Sequence, residues 1–154
     1  MTPEFLERAI ELALDNVRHN GGPFAAVVVR DGSIIAEGCN QVTATNDPTA
    51  HAEVVAIREA CRVLGDFQLP GCEIYASCEP CPMCLGAIFW ARAERVYFAA
   101  SAADAAAAGF DDALIYRQLE VAPAERSIPM IQLASPRAAA PFRAWVNRAD
   151  KQTY

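Results

Sequence analysis

Two short clusters hold the side chains with the greatest chemical reach. One is Thr49-Ala50-His51-Ala52-Glu53, and the other is Ser77-Cys78-Glu79-Pro80-Cys81-Pro82-Met83-Cys84. Imidazole and thiolate are natural zinc donors, and a catalytic zinc keeps three protein ligands and one open position. His51, Cys81 and Cys84 make such a set. The chain has only 2 histidines. The second, His19, sits at a polar helix end, where plain solvent exposure is the ordinary explanation. Cys78, Cys81 and Cys84 allow two C-x-x-C registers. The pair Cys81 and Cys84 is favoured, because Pro82 fits the first position of a helix and so brings both thiols to its N-terminus. Partial positive charge there stabilises thiolates. Cys78 falls at a strand end and reads as a small packed residue. If all three cysteines and His51 bound zinc, the site would be closed and structural, and the chain would be a binding module without turnover.

Glu53 lies two residues beyond His51, so the two do not share a helix face. At a helix tip this matters less, because side chains there lean toward the N-terminus and both can reach a metal off the end. Two thiolates and a neutral imidazole cancel the zinc charge. Such a centre acidifies water less than a tris-histidine site of net charge +2. A carboxylate is then needed to take and pass on the water proton, and Glu53 is the candidate. Taken alone, Glu53 would be read as a first-turn acid favouring the helix dipole.

The elements that must position these residues follow from periodicity. Thr2 with Pro3 opens a helix whose stripe is Phe5, Leu6, Ala9, Ile10, Ala13 and Val17. Asn20-Gly21-Gly22-Pro23 ends it. Phe24 to Arg30 reads as a buried strand, Asp31-Gly32 as a hairpin turn, and Ser33 to Asn40 as the returning strand. Gln41 to Pro48 is a polar loop leading to a helix over about Ala50 to Leu64, capped by Gly65. Cys72 to Ala76 is a strand, Pro82 to about Ala91 a helix, and Arg95 to Ala100 a strand. This alternation predicts parallel pairing with helices on the sheet faces. Ser101 to Gly109 is alanine-rich and reads as a short surface helix. Gly109-Phe110-Asp111-Asp112 is a break with two carboxylates. Ala113 to Leu119 suggests another helical turn, Pro129 to Ala134 a fifth strand, and Pro136 to Tyr154 a helix with Phe142, Trp145, Val146 and Ala149 on one face.

With 154 residues, 53% of them hydrophobic and 21% charged, the chain is expected to be one globular domain. No apolar run approaches the ~20 residues of a membrane span. The first residues are charged and amphipathic, unlike a signal peptide, so the expected location is cytoplasmic and reducing. Its 6 cysteines then read as thiols or metal ligands. A net charge of −6 disfavours a nucleic-acid partner, whose affinity comes from Lys and Arg on phosphates.

The two clusters together spell H-x-E followed by P-C-x-x-C, the signature of zinc nucleobase deaminases. The chain resembles the cytidine-deaminase-like superfamily, and within it the short bacterial guanine deaminases. Gly21-Gly22-Pro23-Phe24, Asn46 to Glu53, Ser77 to Ile88 with Trp90-Ala91-Arg92, and Ala108 to Asp112 all carry the likeness, which spans essentially the whole chain. The resemblance implies a three-layer αβα sandwich around a five-stranded mixed sheet. It implies hydrolysis of guanine to xanthine and ammonia, one zinc, Glu53 as proton shuttle and Asp112 as a second proton carrier. Asn40 matches a base-binding asparagine, and an amide that both donates and accepts suits a purine edge. Phe24 and Trp90 match aromatic pocket positions, although periodicity alone makes both core residues. The backbone N–H of Ala52 or Glu53, at a helix start, is placed to hold a base oxygen. The resemblance further implies that segment 136–154 is exchanged in a homodimer, with Tyr154 closing the partner's pocket; the plainer reading packs it on its own domain. The rivals are a tRNA adenosine deaminase, which needs a basic face, a cytosine or nucleoside deaminase, and the structural zinc module.

Overall fold

The computed structural model describes residues 2–154, which divide into two compact units, 2–112 and 113–154. In the first unit, α1 (Pro3–Arg18) is followed by β1 (Ala25–Arg30) and β2 (Ser33–Cys39), then by the short α2 (Val42–Thr45) and by α3 (Ala52–Leu64). Next come β3 (Cys72–Cys78), α4 (Pro82–Ala91), β4 (Arg95–Ala100) and α5 (Ala102–Ala107). The sheet order is β2-β1-β3-β4, with β1 antiparallel to both neighbours and β3 parallel to β4. β2 and β3 therefore run the same way, as the strand–helix alternation predicts, but β1 lies between them. Among the described residues only β3 and β4 are parallel partners. The hairpin between β1 and β2 turns on Asp31 and Gly32, both at positive φ (50° and 73°), the conformation that Asp-Gly favours.

Side-chain alternation along β1 separates two apolar layers. Ala26 and Val28 face one cluster with Ala52, Ala56 and Ala60 of α3 and Ile88 and Ala91 of α4. Val27 and Val29 face the other with Tyr75 and with Phe5, Leu6 and Leu12 of α1. One helix thus covers one face and two cover the other, which is the three-layer αβα sandwich expected. The α1 stripe differs slightly from expectation, since Leu12 packs inward while Val17 is exposed. Gly65 ends α3 in the left-handed region, as its cap position requires. The supposed loop 41–48 contains α2.

The second unit holds α6 (Ala113–Glu120), a 3₁₀ turn (Pro123–Glu125) and α7 (Ala140–Val146). Two expectations are corrected here. Pro129 to Ala134 is not a strand, so the described sheet has four strands and not five. A strand exists only when its backbone is paired, and Pro129 has no N–H to give. Helix covers only Ala140–Val146 of the span 136–154, with Pro141 at its start and Asn147 at its end. No residue of 113–154 is buried.

Candidate active site

Two helix N-termini form the site. His51 is the N-cap of α3, in extended conformation, and Glu53 sits in that helix's first turn. Cys81 is the N-cap of α4, with Pro82 next and Cys84 in the first turn. Both macrodipoles present their positive ends to the same place. The loop entering α3 is braced locally. Asp47 Oδ1 accepts from Thr49 N–H and Thr49 Oγ1 at 2.8 and 2.7 Å, and the Gln41 N–H donates to Ala50 O at 2.9 Å. The loop entering α4 is tied to β4 and α5. Glu79 N–H donates to Ala100 O at 2.9 Å, and Glu79 Oε2 accepts from Ala102 N–H at 3.0 Å.

His51 Nδ1 lies 3.5 Å from Cys81 Sγ and 3.6 Å from Cys84 Sγ, and the three donor atoms all lie within 4.8 Å of one another. A tetrahedral zinc with Zn–N of about 2.0–2.1 Å and Zn–S of about 2.3 Å separates N from S by roughly 3.5 Å. The two observed nitrogen–sulfur distances match that geometry. Cys78 is outside the trio. Its buried Sγ meets Ser101 O at 3.6 Å at the end of β3, so it packs as expected. Among the described residues the donor set numbers three, as in catalytic zinc centres.

Electrostatics follow from burial and contact. Glu53 is only 8% exposed, and burial raises its pKa, with a hydrogen bond from Cys84 working against that rise. The Cys81 thiol is drawn down to about 4 by the hydrogen bond from Cys84 and by His51, while Cys84, sharing that contact, moves up. His51 is raised, chiefly by its hydrogen bond with Cys81. Asp112 is raised by burial and then by the Cys81 charge, which places it within electrostatic reach of the trio.

The other expected residues fall in two groups. Phe24 and Asn40 are neighbours at the open ends of β1 and β2, joined by Asn40 N–H donating to Phe24 O at 3.0 Å. The Phe24 ring meets Phe110 edge-on, at 4.9 Å between centroids and 86° between planes. Trp90 is exposed on the last turn of α4, and Tyr154 is exposed in the second unit. Ala52 is buried at the first position of α3. Gly38, which sequence reasoning passed over, decides how close α3 comes to β2. A Cβ there would overlap Ala52 O and Ala56 N. A glycine inside a strand is the available signal for such an approach.

The chain belongs to the family described as the cytidine and deoxycytidylate deaminase zinc-binding region, which matches residues 2–100. Within that class it is 57% identical to a Bacillus subtilis guanine deaminase over 97% of each chain. The crystal structure of guanine deaminase from Bacillus subtilis superposes with a TM-score of 0.98 at 55% identity, covering 100% of this chain and 99% of that one. A guanine deaminase from Nitrosomonas europaea gives a TM-score of 0.68 at 36% identity, covering 70% of this chain and 63% of its own. A tRNA-specific adenosine deaminase of Agrobacterium fabrum is 46% identical over 59% of this chain and 62% of its own.

Proposed function

We propose that this chain hydrolyses guanine to xanthine and ammonia at the His51, Cys81 and Cys84 centre. The observation that carries the reading is the extent of the likeness. The family match ends at residue 100 and the tRNA-deaminase likeness covers 59% of the chain, whereas the guanine-deaminase likeness covers 97% of it, Asp112 and the second unit included. The net charge of −6 also disfavours an RNA substrate.

In the reaction a C2–O bond forms and the C2–N bond to the exocyclic amine breaks, with water consumed and ammonia released. His51, Cys81 and Cys84 would hold the zinc, which would supply Lewis acidity toward the attacking water. Glu53, buried and raised in pKa, takes the water proton and returns it to the purine side of the reaction. Asp112, whose proton affinity is likewise raised, relays to the departing amino group the second water proton, which the new C2 hydroxyl gives up as it becomes the carbonyl. Asn40 has its Oδ1 bonded to Val42 N–H at 3.3 Å, so its Nδ2 donors are what it offers the base. Guanine presents acceptors at O6 and N7, which suits that donor. The Ala52 N–H, at a helix start, is a second donor for the base oxygen. Phe24 and Trp90 supply flat apolar walls for the ring.

The same reading gives a homodimer whose segment 136–154 crosses between subunits, with Tyr154 closing the partner's pocket. The support is that 113–154 buries no residue of its own while exposing Ile131, Leu133 and Phe142. Ammonia release from guanine, guanosine, adenine, cytosine, cytidine and an adenosine-bearing anticodon stem-loop tests the assignment. Guanine is expected to give xanthine and the fastest release. Faster release from the stem-loop or from cytidine contradicts it.

A further inference from the structure

Asn16 lies on α1, the layer of the sandwich opposite α3 and α4, and no step above uses it. Its Nδ2 donates to Gly22 O at 2.8 Å and to Asn40 O at 3.0 Å, and its backbone O accepts from Gly21 N–H at 2.8 Å. An amide has two N–H groups, and both are directed at carbonyl oxygens. The flipped amide would set oxygen against two oxygens, so this orientation is fixed by chemistry. The surrounding chain is stripped to make room. A Cβ on Gly21 would overlap the Asn16 amide, and one on Gly22 would lie 3.0 Å from Asn40 Oδ1. Gly22 O also accepts from Phe24 N–H at 2.9 Å, and Phe24 O accepts from Asn40 N–H at 3.0 Å. One side chain therefore clips the start of β1 to the end of β2 at the two points that carry Phe24 and Asn40.

We infer that Asn16 is the positioning residue for the base-recognition half of the pocket, an inference that rests on Asn40 and Phe24 touching the purine as proposed above. The two halves meet at the Gln41 N–H to Ala50 O bond, but the metal half is also held by bonds that Asn16 does not make, those of Asp47, Glu79 and the Gly38 contact. Loss of Asn16 loosens the Asn40 backbone and with it the aim of the Asn40 amide, which costs affinity for the base and leaves the metal donors in place.

The test measures guanine kinetics, zinc content and thermal midpoint for Asn16→Ala, Asn40→Ala and the double variant. Asn16→Ala is expected to raise KM roughly tenfold, the scale of one or two hydrogen bonds, with kcat within about threefold and zinc retained. In the Asn40→Ala background the same change is expected to add less than about twofold, because residues acting through one contact are not additive. If Asn16→Ala fails to fold, Gly21→Ala carries the test, since its methyl displaces the Asn16 amide and is expected to reproduce the KM effect. Unchanged KM in Asn16→Ala or Gly21→Ala overturns the inference, as does a full tenfold effect persisting in the Asn40→Ala background. Unchanged KM in Asn40→Ala alone instead overturns the base-recognition reading beneath it.

Discussion

Residues 2–112 and residues 113–154 dispose of their apolar side chains in opposite ways. In the first unit, Val27, Val28, Ile74 and Tyr75 are sealed between helices on both sheet faces. In the second, Leu119, Ile128, Ile131, Leu133, Phe142 and Val146 are exposed, Leu133 at 82%, and no residue is buried. Burial of one such side chain contributes about 1.5–3 kcal/mol. The first unit gains that stabilisation from its own chain, and it also contains every metal donor. The second forgoes it unless another surface covers it, which is the physical ground for assigning that role to a second copy. The comparison separates a unit that holds the donor trio and seals its own core from one whose apolar side chains its own fold leaves uncovered.

The largest effect belongs to the first unit. Cys81→Ala removes a metal donor and is expected to lower guanine turnover by at least about a thousandfold, with zinc lost by metal analysis. An active, zinc-free Cys81→Ala protein breaks the comparison, because it moves the chemistry elsewhere. Next is Gly38→Ala. Its methyl meets the α3 backbone, so strand and helix must part, and chemical denaturation is expected to show a loss of roughly 1–3 kcal/mol. An unchanged midpoint would show that the α3 approach is looser than the structure has it.

Removal of residues 147–154 is expected to lower turnover by about tenfold, the scale of a lost pocket contact, while zinc stays at the level of the full chain. Unchanged kinetics contradict the crossing tail and return Tyr154 to a surface role. The smallest effect sharpens the picture by contrast. Arg8 pairs with Glu37 through two hydrogen bonds of 2.7 and 3.0 Å on the exposed α1 surface. Arg8→Ala is expected to cost under about 1 kcal/mol, with kinetics unaltered.

What could be read from the sequence tracks how local the determining physics is. The metal trio was legible because two helix starts, marked by Pro82 and by the polar turn before His51, each carry their donors within four residues. The hairpin was legible because Asp31-Gly32 dictates its own backbone. Pro129 to Ala134 was misread, because an apolar run resembles a strand while strandhood depends on a partner the sequence does not name. The position of β1 between β2 and β3 escaped for the same reason. Asn16 was invisible as a site residue, because it acts through the backbone of Gly22 and Asn40 and belongs to no pattern of spacing, whereas Gly38 left only the faint signal of a glycine inside a strand. Cys78 was placed correctly, since the end of β3 turns its thiol toward Ser101 and away from the trio.

The central claim is that three donors hold the metal while the buried Glu53 moves the proton. Zinc content and guanine turnover measured on one preparation of Glu53→Gln test it most directly. The expected result is zinc at the level of the unaltered chain with turnover reduced by about 10²–10⁴-fold, the range for a lost general acid–base. Turnover within a fewfold of the unaltered chain, with zinc in place, contradicts the account.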